Sequence, residues 1–312
     1  MIFTVVIPLY NKGNHIKRAI KSILQQTYQD FKIIVVDDGS TDNSVKEAMK
    51  IKDNRIKIIK KSNGGVSSAR NKGIEESNYD YIGFLDADDM WKPDFLESIK
   101  NLIEKYPKAG AYCTAYEIKK EDGTLAVSPN FNNFEQYWHG IIDDYFKYAI
   151  NGPLISASSV VIPKRVFNDI GGFSLGIKRG EDLDMWVRIA LTYNIVYFNR
   201  VCATYFHDAE NRACKKKSGL IDSSSAYAED ILIEVKKLGS YSNYFEEYMI
   251  KQIISKVRYM IEEGNNKEAR KLLYKYSYTK LNRKALIKTF ILSCLPENIK
   301  KTLISYIKIM RK

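Results

Sequence analysis

The feature that most limits how this chain can fold is a change of period that repeats through its first hundred residues. Short β-branched, nearly all-apolar runs stand at Phe3–Ile7, Lys32–Asp37, Ile56–Ile59 and Tyr81–Leu85. Between them lie helical patterns at His15–Gln25, Asn43–Lys50 and Ser67–Glu76. Short strands alternating with helices of about ten residues build βαβ units and a parallel sheet. Runs that are apolar throughout belong in a sheet covered on both faces. In such sheets ligands gather beyond the carboxyl ends of the strands, near a switch in strand order. The residues that follow each run are therefore where chemistry is expected.

The first run ends in Ile7-Pro8-Leu9-Tyr10-Asn11. Pro8 is expected to stop the pairing, and Tyr10 offers a flat face with a polar tip, suited to a nucleobase or simply to the surface. The second ends in Val35-Val36-Asp37-Asp38-Gly39-Ser40-Thr41-Asp42. Thr41 or Asp42 is expected to cap the next helix while Gly39 turns the chain. That leaves Asp37 and Asp38, adjacent carboxylates able to accept from a base N–H or a ribose hydroxyl. The third leads through Asn63-Gly64-Gly65-Val66-Ser67-Ser68-Ala69-Arg70-Asn71-Lys72-Gly73 into a helix. Such a glycine turn either approaches a phosphate or is only a turn with a Ser cap. Its spacing fits neither G-x-G-x-x-G nor G-x-x-x-x-G-K-[ST], so a dinucleotide fold and a P-loop lose support. The fourth ends in Phe84-Leu85-Asp86-Ala87-Asp88-Asp89-Met90-Trp91. Three carboxylates in four residues repel one another unless a cation or solvent intervenes. Sharing Mg²⁺ or Mn²⁺ with substrate phosphates is one account of them. Capping a helix at Pro93 is the other, and it serves one Asp rather than three.

Further along, strands are expected at Ala111–Ile118 and Ser158–Ile162, a loop at Glu121–Asn133, and a helix from Glu181 to Tyr193. Beyond Ala213 the pattern is helical. Lys215-Lys216-Lys217-Ser218-Gly219 reads as a linker, which divides the chain into 1–214 and 215–312. The net charge of +12 is concentrated at one end: from Gly264 to Lys312 there are 13 Lys+Arg against 2 Asp+Glu, leaving 36 against 35 before it. A near-neutral body argues against a protein built throughout to hold nucleic acid. A basic tail fits an anionic surface, either a membrane leaflet or a nucleic acid touched by an appendage. Ile299, Leu303, Tyr306, Ile307 and Met310 share one helical face, with Lys300, Lys301, Lys308 and Arg311 off it. Leu286, Ile287, Phe290, Ile291 and Leu295 repeat the arrangement with Lys284 and Lys288. These are membrane-surface helices, helices packed on their own domain, or a subunit interface. The four cysteines, Cys113, Cys202, Cys214 and Cys294, are scattered and accompany three His, so neither a zinc cluster nor a disulfide framework is expected. That usage implies a reducing, cytoplasmic compartment. The N-terminus does not read as a signal peptide, and no run approaches the length of a membrane span.

Taken in order, Val6–Asn11, Val36–Asp42, Gly65–Gly73 and Leu85–Asp89 resemble the inverting family 2 glycosyltransferases, of the bacterial polysaccharide and capsule type. Weaker likeness continues through Gly171-Gly172-Phe173 and Glu181-Asp182-Leu183-Asp184-Met185-Trp186, covering about residues 1–212. The resemblance implies an α/β GT-A (Rossmann-like) fold, a mostly parallel sheet flanked by helices, with a helical region after it. It implies metal-assisted transfer of one sugar from a nucleotide-sugar, UDP-linked, to a glycan or lipid-linked saccharide, with inversion. By the same resemblance Pro8, Tyr10, Asn11 and Asp38 hold the nucleoside, with Arg70 on the base or phosphate side. Asp86 faces the ribose, Asp88 faces Mn²⁺ or Mg²⁺ at the diphosphate, His207 reaches that metal or diphosphate, and Asp182 is the catalytic base. The stretch Phe206–Arg212 lacks the Ser residues often found after that His. Read without the resemblance, Asp182 is a first-turn acid favoured by the helix dipole, beside an ordinary Asp184–Arg188 pair, and His207 is a strand-end His. Two other classes compete. A non-catalytic nucleotide-sugar binder would have no use for Asp86, Asp88 and Asp182 together. A nucleic-acid binder using the tail is opposed by the neutral body and its carboxylates.

Overall fold

The computed structural model describes residues 1–208, 223–239, 241–296 and 299–300. The chain divides into two compact units, Met1–Ser218 and Gly219–Lys312. In the first, β1 (Phe3–Leu9) is flanked by β2 (Phe31–Asp37), which carries β3 (Ile56–Lys60) on its far side. On the other side of β1 lies β4 (Tyr81–Phe84), and these four strands are parallel. Between them run α1 (Ile16–Leu24), α2 (Ser44–Met49) and α3 (Val66–Glu75). The apolar spacing of α1 puts Ile16, Ala19, Ile20 and Ile23 into the core against β1 and β2. On α3, Gly73 permits the approach to β1, because a Cβ there would stand 2.3 Å from Val6 Cγ1.

The remaining strands are β5 (Met90–Trp91), β6 (Ala111–Lys119), β7 (Leu125–Val127), β8 (His139–Ile141), β9 (Val160–Pro163) and β10 (Ile195–Phe206). Of these, β6 and β9 fall where strands are expected, whereas β5, β7 and β8 carry only two or three residues each. The order is β3-β2-β1-β4-β9-β6-β10-β5, with β7 on β6 and β8 on β10. The pair β6–β10 is parallel, and β9 is antiparallel to both β4 and β6. Among its described residues the unit also holds α4 (Phe95–Lys105), α5 (Tyr145–Ala149), α6 (Lys164–Ile170) and α7 (Glu181–Thr192). The stretch expected as a loop thus holds β7.

One expectation at β1 fails. Pro8 does not stop the pairing, because the strand continues to Leu9 with Pro8 opposite Val36. Val6 O accepts from Leu85 N on the β4 side and Leu9 O accepts from Asp38 N on the β2 side. Successive residues alternate sides, so the missing N–H of Pro8 faces β4, where pairing has already ended at Val6 and Phe84.

The second unit contains α8 (Ala228–Leu238), α9 (Asn243–Glu262), α10 (Asn266–Lys275) and α11 (Arg283–Cys294). Ser242 caps the long α9 by accepting from Phe245 N at 3.0 Å. Glu247 of α9 accepts from Lys280 N at 2.7 Å and Asn282 Nδ2 at 2.9 Å, which fixes the turn into α11. The expected single apolar face of α11 is split: Leu286 is buried, while Ile287, Phe290 and Ile291 are exposed. Leu303, Tyr306, Ile307, Met310, Cys214 and the Lys215–Gly219 linker lie outside the described residues. No described helix is long and apolar enough to cross a membrane.

Candidate active site

With β2 and β3 on one side of β1 and β4 on the other, the strand order switches between β1 and β4. That is where an open α/β sheet opens a crevice for its ligand. The segments beyond β1, β2 and β4 meet there, and each candidate residue can be followed into it.

The three aspartates after β4 go three different ways. Asp86 Oδ1 accepts from Arg70 Nη2 at 2.9 Å, and Asp88 Oδ2 accepts from Lys12 Nζ at 2.6 Å. Asp89 is fully buried; its Oδ2 accepts from Ser158 Oγ at 2.5 Å and its Oδ1 from Phe206 N at 3.1 Å. Ser158 Oγ in turn accepts from Asp86 N at 3.1 Å. Burial first, then the charges of Asp88 and Asp86, push Asp89 well above the usual carboxylate range. None of the three caps α4, whose N-cap Asp94 makes no side-chain cap bond. The repulsion is relieved by two cations and a hydroxyl instead. Asp89 also fastens the end of β10, and with it the neighbouring His207, to this turn. His207 N donates to Lys119 O at 2.8 Å, and its ring lies edge-on to Tyr205.

Arg70 is the hub. It is 2% exposed, with Nη1 on Glu181 Oε1 and Nη2 on Asp86 Oδ1, both at 2.9 Å. Its guanidinium sits 5.1 Å from the centre of the Phe173 ring. Burial works against its charge, but Asp86, Glu181 and Asp182 outweigh that and raise its pKa. The neighbouring Asn71 explains the rest of that motif. Its Oδ1 accepts from Phe173 N and its Nδ2 donates to Phe173 O, both at 2.8 Å, so α3 holds the Gly171-Gly172-Phe173 loop against Arg70. Gly172 is required there, since a Cβ would come within 2.5 Å of Asn71 Oδ1.

Asp182 opens α7, whose entry is made by Gly180 at φ 77° and whose first turn carries Glu181, Asp182 and Asp184. The helix dipole favours acids there, and Asp184 pairs with Arg188 at 2.8 Å as its spacing requires. Asp182 differs from its neighbours. Burial, and next the Glu181 carboxylate, push it up to about 7 against the opposing pull of Arg70. Three carboxylates thus share one guanidinium, and Asp182 is the one whose charge is least supported.

Beyond β2, Asp38 is 3% exposed. Its Oδ1 accepts from Lys61 Nζ at 2.5 Å and Gly64 N at 3.0 Å, and its Oδ2 from Gly65 N at 2.8 Å. The expected Ser cap of α3 is absent; Gly65 is the N-cap and Asp38 takes its N–H instead. A carboxylate has about four acceptor sites, so Oδ2 keeps one. Asp37 Oδ1 accepts from Ser40 N at 3.1 Å. Asp42 accepts from Ser44 N at 2.9 Å, although Asn43 is the N-cap residue of α2. Asn11, at φ 51°, accepts from Thr41 N at 2.8 Å and so joins the β1 and β2 loops. Tyr10 is exposed, and Pro8 is partly so.

Lys12, Asn71, Asp89, Ser158 and Glu181 were not singled out for these roles in the sequence, though each lies within or beside a quoted motif. Around Asp88 the chain also gathers His15 and Arg18. Arg18 donates to Asp88 O and covers the Phe206 ring at 3.5 Å. Both residues feel Asp88 and Asp208, and burial lowers both of their pKa values. Among the described residues no three His, Cys, Asp or Glu side chains converge to hold a metal by themselves. Asp88 nevertheless has the chemistry of a site shared with a ligand: one partly exposed carboxylate, already holding the ammonium of Lys12. A hard divalent ion bound there would take its other ligands from phosphate oxygens.

A family model described as "Glycosyl transferase family 2" matches residues 4–171. An uncharacterized glycosyltransferase of Rickettsia typhi is 32% identical over 215 residues, 67% of this chain and 65% of that protein. The hyaluronan synthase of Pasteurella multocida is 28% identical over 220 residues, 69% of this chain but 21% of the synthase. The chain therefore spans less than two thirds of either relative. Among solved structures, Staphylococcus aureus TarS residues 1–349 in complex with UDP-GlcNAc superposes with a TM-score of 0.67 at 18% identity, covering 96% of this chain and 83% of that one. At that identity the likeness is one of fold, and the fold is GT-A.

Proposed function

The chain belongs to glycosyl transferase family 2, and from that premise we propose that it moves one sugar from a nucleotide-sugar, a UDP-sugar, to a hydroxyl of a glycan or lipid-linked saccharide, with inversion. The observation that carries the proposal is the cluster at the strand switch, where Asp86, Glu181 and Asp182 surround Arg70 and Asp182 is raised to about 7. A general base works best with a pKa near the operating pH. The UDP-GlcNAc bound by TarS supports the choice of donor.

In this reading Pro8, Tyr10, Asn11 and Asp38 hold the nucleoside, the remaining acceptor site of Asp38 taking a base N–H. Arg70 aligns Asp86 toward the ribose and keeps Glu181 and Asp182 in place. Asp88 and His207 would hold Mn²⁺ or Mg²⁺, which when bound offsets the negative charge of the diphosphate. Asp182 takes the proton of the acceptor hydroxyl as its oxygen attacks the anomeric carbon from the face opposite the diphosphate. The bond from that carbon to the diphosphate oxygen breaks, and the oxygen leaves with the electron pair. The basic stretch after Gly264 supports an anionic membrane, at its cytosolic face, as a further partner.

Thermal-shift titration with UDP, GDP, dTDP and CDP, with and without Mn²⁺, tests the donor site, because a ligand that binds only the folded state raises the melting temperature. A shift with UDP that grows with Mn²⁺ is expected. No shift with any nucleotide, in a folded sample, would overturn the reading.

A further inference from the structure

Helix α11 is built inside out. It packs against α9 and α10, yet the residues it buries are Leu286, Thr289 and Ser293. The hydroxyls are satisfied within the unit. Thr289 Oγ1 donates to Ala285 O at 2.8 Å and Ser293 Oγ to Phe290 O at 2.6 Å. Arg270 Nη1 reaches Ser293 O at 2.9 Å. Three of its larger apolar side chains point the other way, Ile287, Phe290 and Ile291, exposed by 48%, 40% and 55%. At about 100° per residue these three share one arc with Arg283, and Lys284 and Lys288 border it. Leu281, in the turn before the helix, is exposed as well.

An exposed apolar arc of this kind marks an interaction surface, and the charge around it selects the partner. No Asp or Glu occurs between Ala269 and Pro296, while Arg270, Lys271, Lys275, Lys280, Arg283, Lys284 and Lys288 do. A second copy seated face to face would oppose Arg283, Lys284 and Lys288 to their own kind, with no acid on the helix to pair them. An anionic lipid surface meets both requirements. Its acyl boundary takes the isoleucines and Phe290, and its headgroups take the ammonium and guanidinium groups at the ends of their flexible stems. We propose that α11 lies in the plane of an anionic bilayer, with Ile287, Phe290 and Ile291 inserted and Arg283, Lys284 and Lys288 at the headgroups. This rests on the anionic-surface reading above and is independent of the transferase chemistry.

The test is flotation of the full chain with phosphatidylcholine vesicles and with vesicles of equal parts phosphatidylcholine and phosphatidylglycerol. It compares wild type with Ile287→Glu/Ile291→Glu and Lys284→Glu/Lys288→Glu. Wild type is expected to float with the anionic vesicles, and each double variant to lose roughly tenfold or more in partitioning at unchanged melting temperature. If wild type prefers neither vesicle, the anionic-surface reading itself fails. If wild type binds anionic vesicles and the variants bind equally well, α11 is not the contact and only the present inference falls. A wild-type dimer without vesicles that the Ile287→Glu/Ile291→Glu variant abolishes would give the arc to a second copy and overturn it too. The UDP thermal shift of the same samples reports separately on the donor site.

Discussion

Helices α7 and α11 are each twelve residues long, and they put opposite chemistry on their inner and outer faces. α7 buries Met185, Trp186, Val187 and Ile189, and gathers Glu181, Asp182 and Asp184 in its first turn. The apolar face drives packing, and packing brings Glu181 onto Arg70 and Asp182 within reach of its charge, while Asp184 pairs with Arg188. α11 has no acid in its first turn and buries two hydroxyl residues beside Leu286, leaving Ile287, Phe290 and Ile291 outward. A site comes from charge that the fold compels together; a surface comes from apolar area that the fold leaves uncovered. The same helical period serves both, and only the neighbours decide which.

The comparison breaks most readily at Asp182. Asp182→Asn should lower transfer by roughly 10²–10⁴-fold while nucleotide-induced thermal shifts persist; turnover like wild type would remove Asp182 from the role. In wild type the rate should rise with pH around a midpoint near 7, since the base acts when deprotonated. Stability moves the opposite way. The fold binds this proton more tightly than the unfolded chain does, whose Asp titrates near about 3.9. The contribution is therefore fully present below about pH 4 and lost as pH rises through about 7. Melting temperatures of wild type and Asp182→Asn should diverge over that window in favour of the variant, and parallel curves would contradict the assignment.

Next in size is Arg70→Met. It leaves Asp86, Glu181 and Asp182 without their shared cation, and breaking a buried ion network costs about 3–5 kcal/mol. Urea denaturation measures it, and a loss much below that range would mean the carboxylates do not depend on Arg70. The smallest effect belongs to α11, where Ile291→Glu should change folding stability by no more than about 0.5 kcal/mol, as exposed positions do. A large loss there would show that the arc is covered by the protein itself.

How much of this was readable beforehand follows physical range. The strands β1 to β4 and helices α1 to α3 announce themselves by period. Each strand-end motif also states its own turn, though Pro8 was misjudged because the side its missing N–H faces depends on where β4 stops. The strands β5, β7 and β8 carry two or three residues each and have no period to read. Asp89 was counted among three similar aspartates, yet it alone is sealed away with Ser158 and the Phe206 N–H. Nothing local distinguishes it.

The sequence alone determined the βαβ beginning, the carboxylates at the strand ends and the basic stretch from Gly264 to Lys312. All three follow from residue type and spacing within about ten residues, the range over which period and turn chemistry act. Tertiary structure alone decided that Arg70 would meet Glu181, 111 positions away, that Asn71 would hold Phe173, that Lys12 would sit on Asp88, and that α11 would turn Thr289 and Ser293 inward. Such partners are chosen when packing excludes water, because a buried charge or hydroxyl must then be matched by whatever the fold brings within reach.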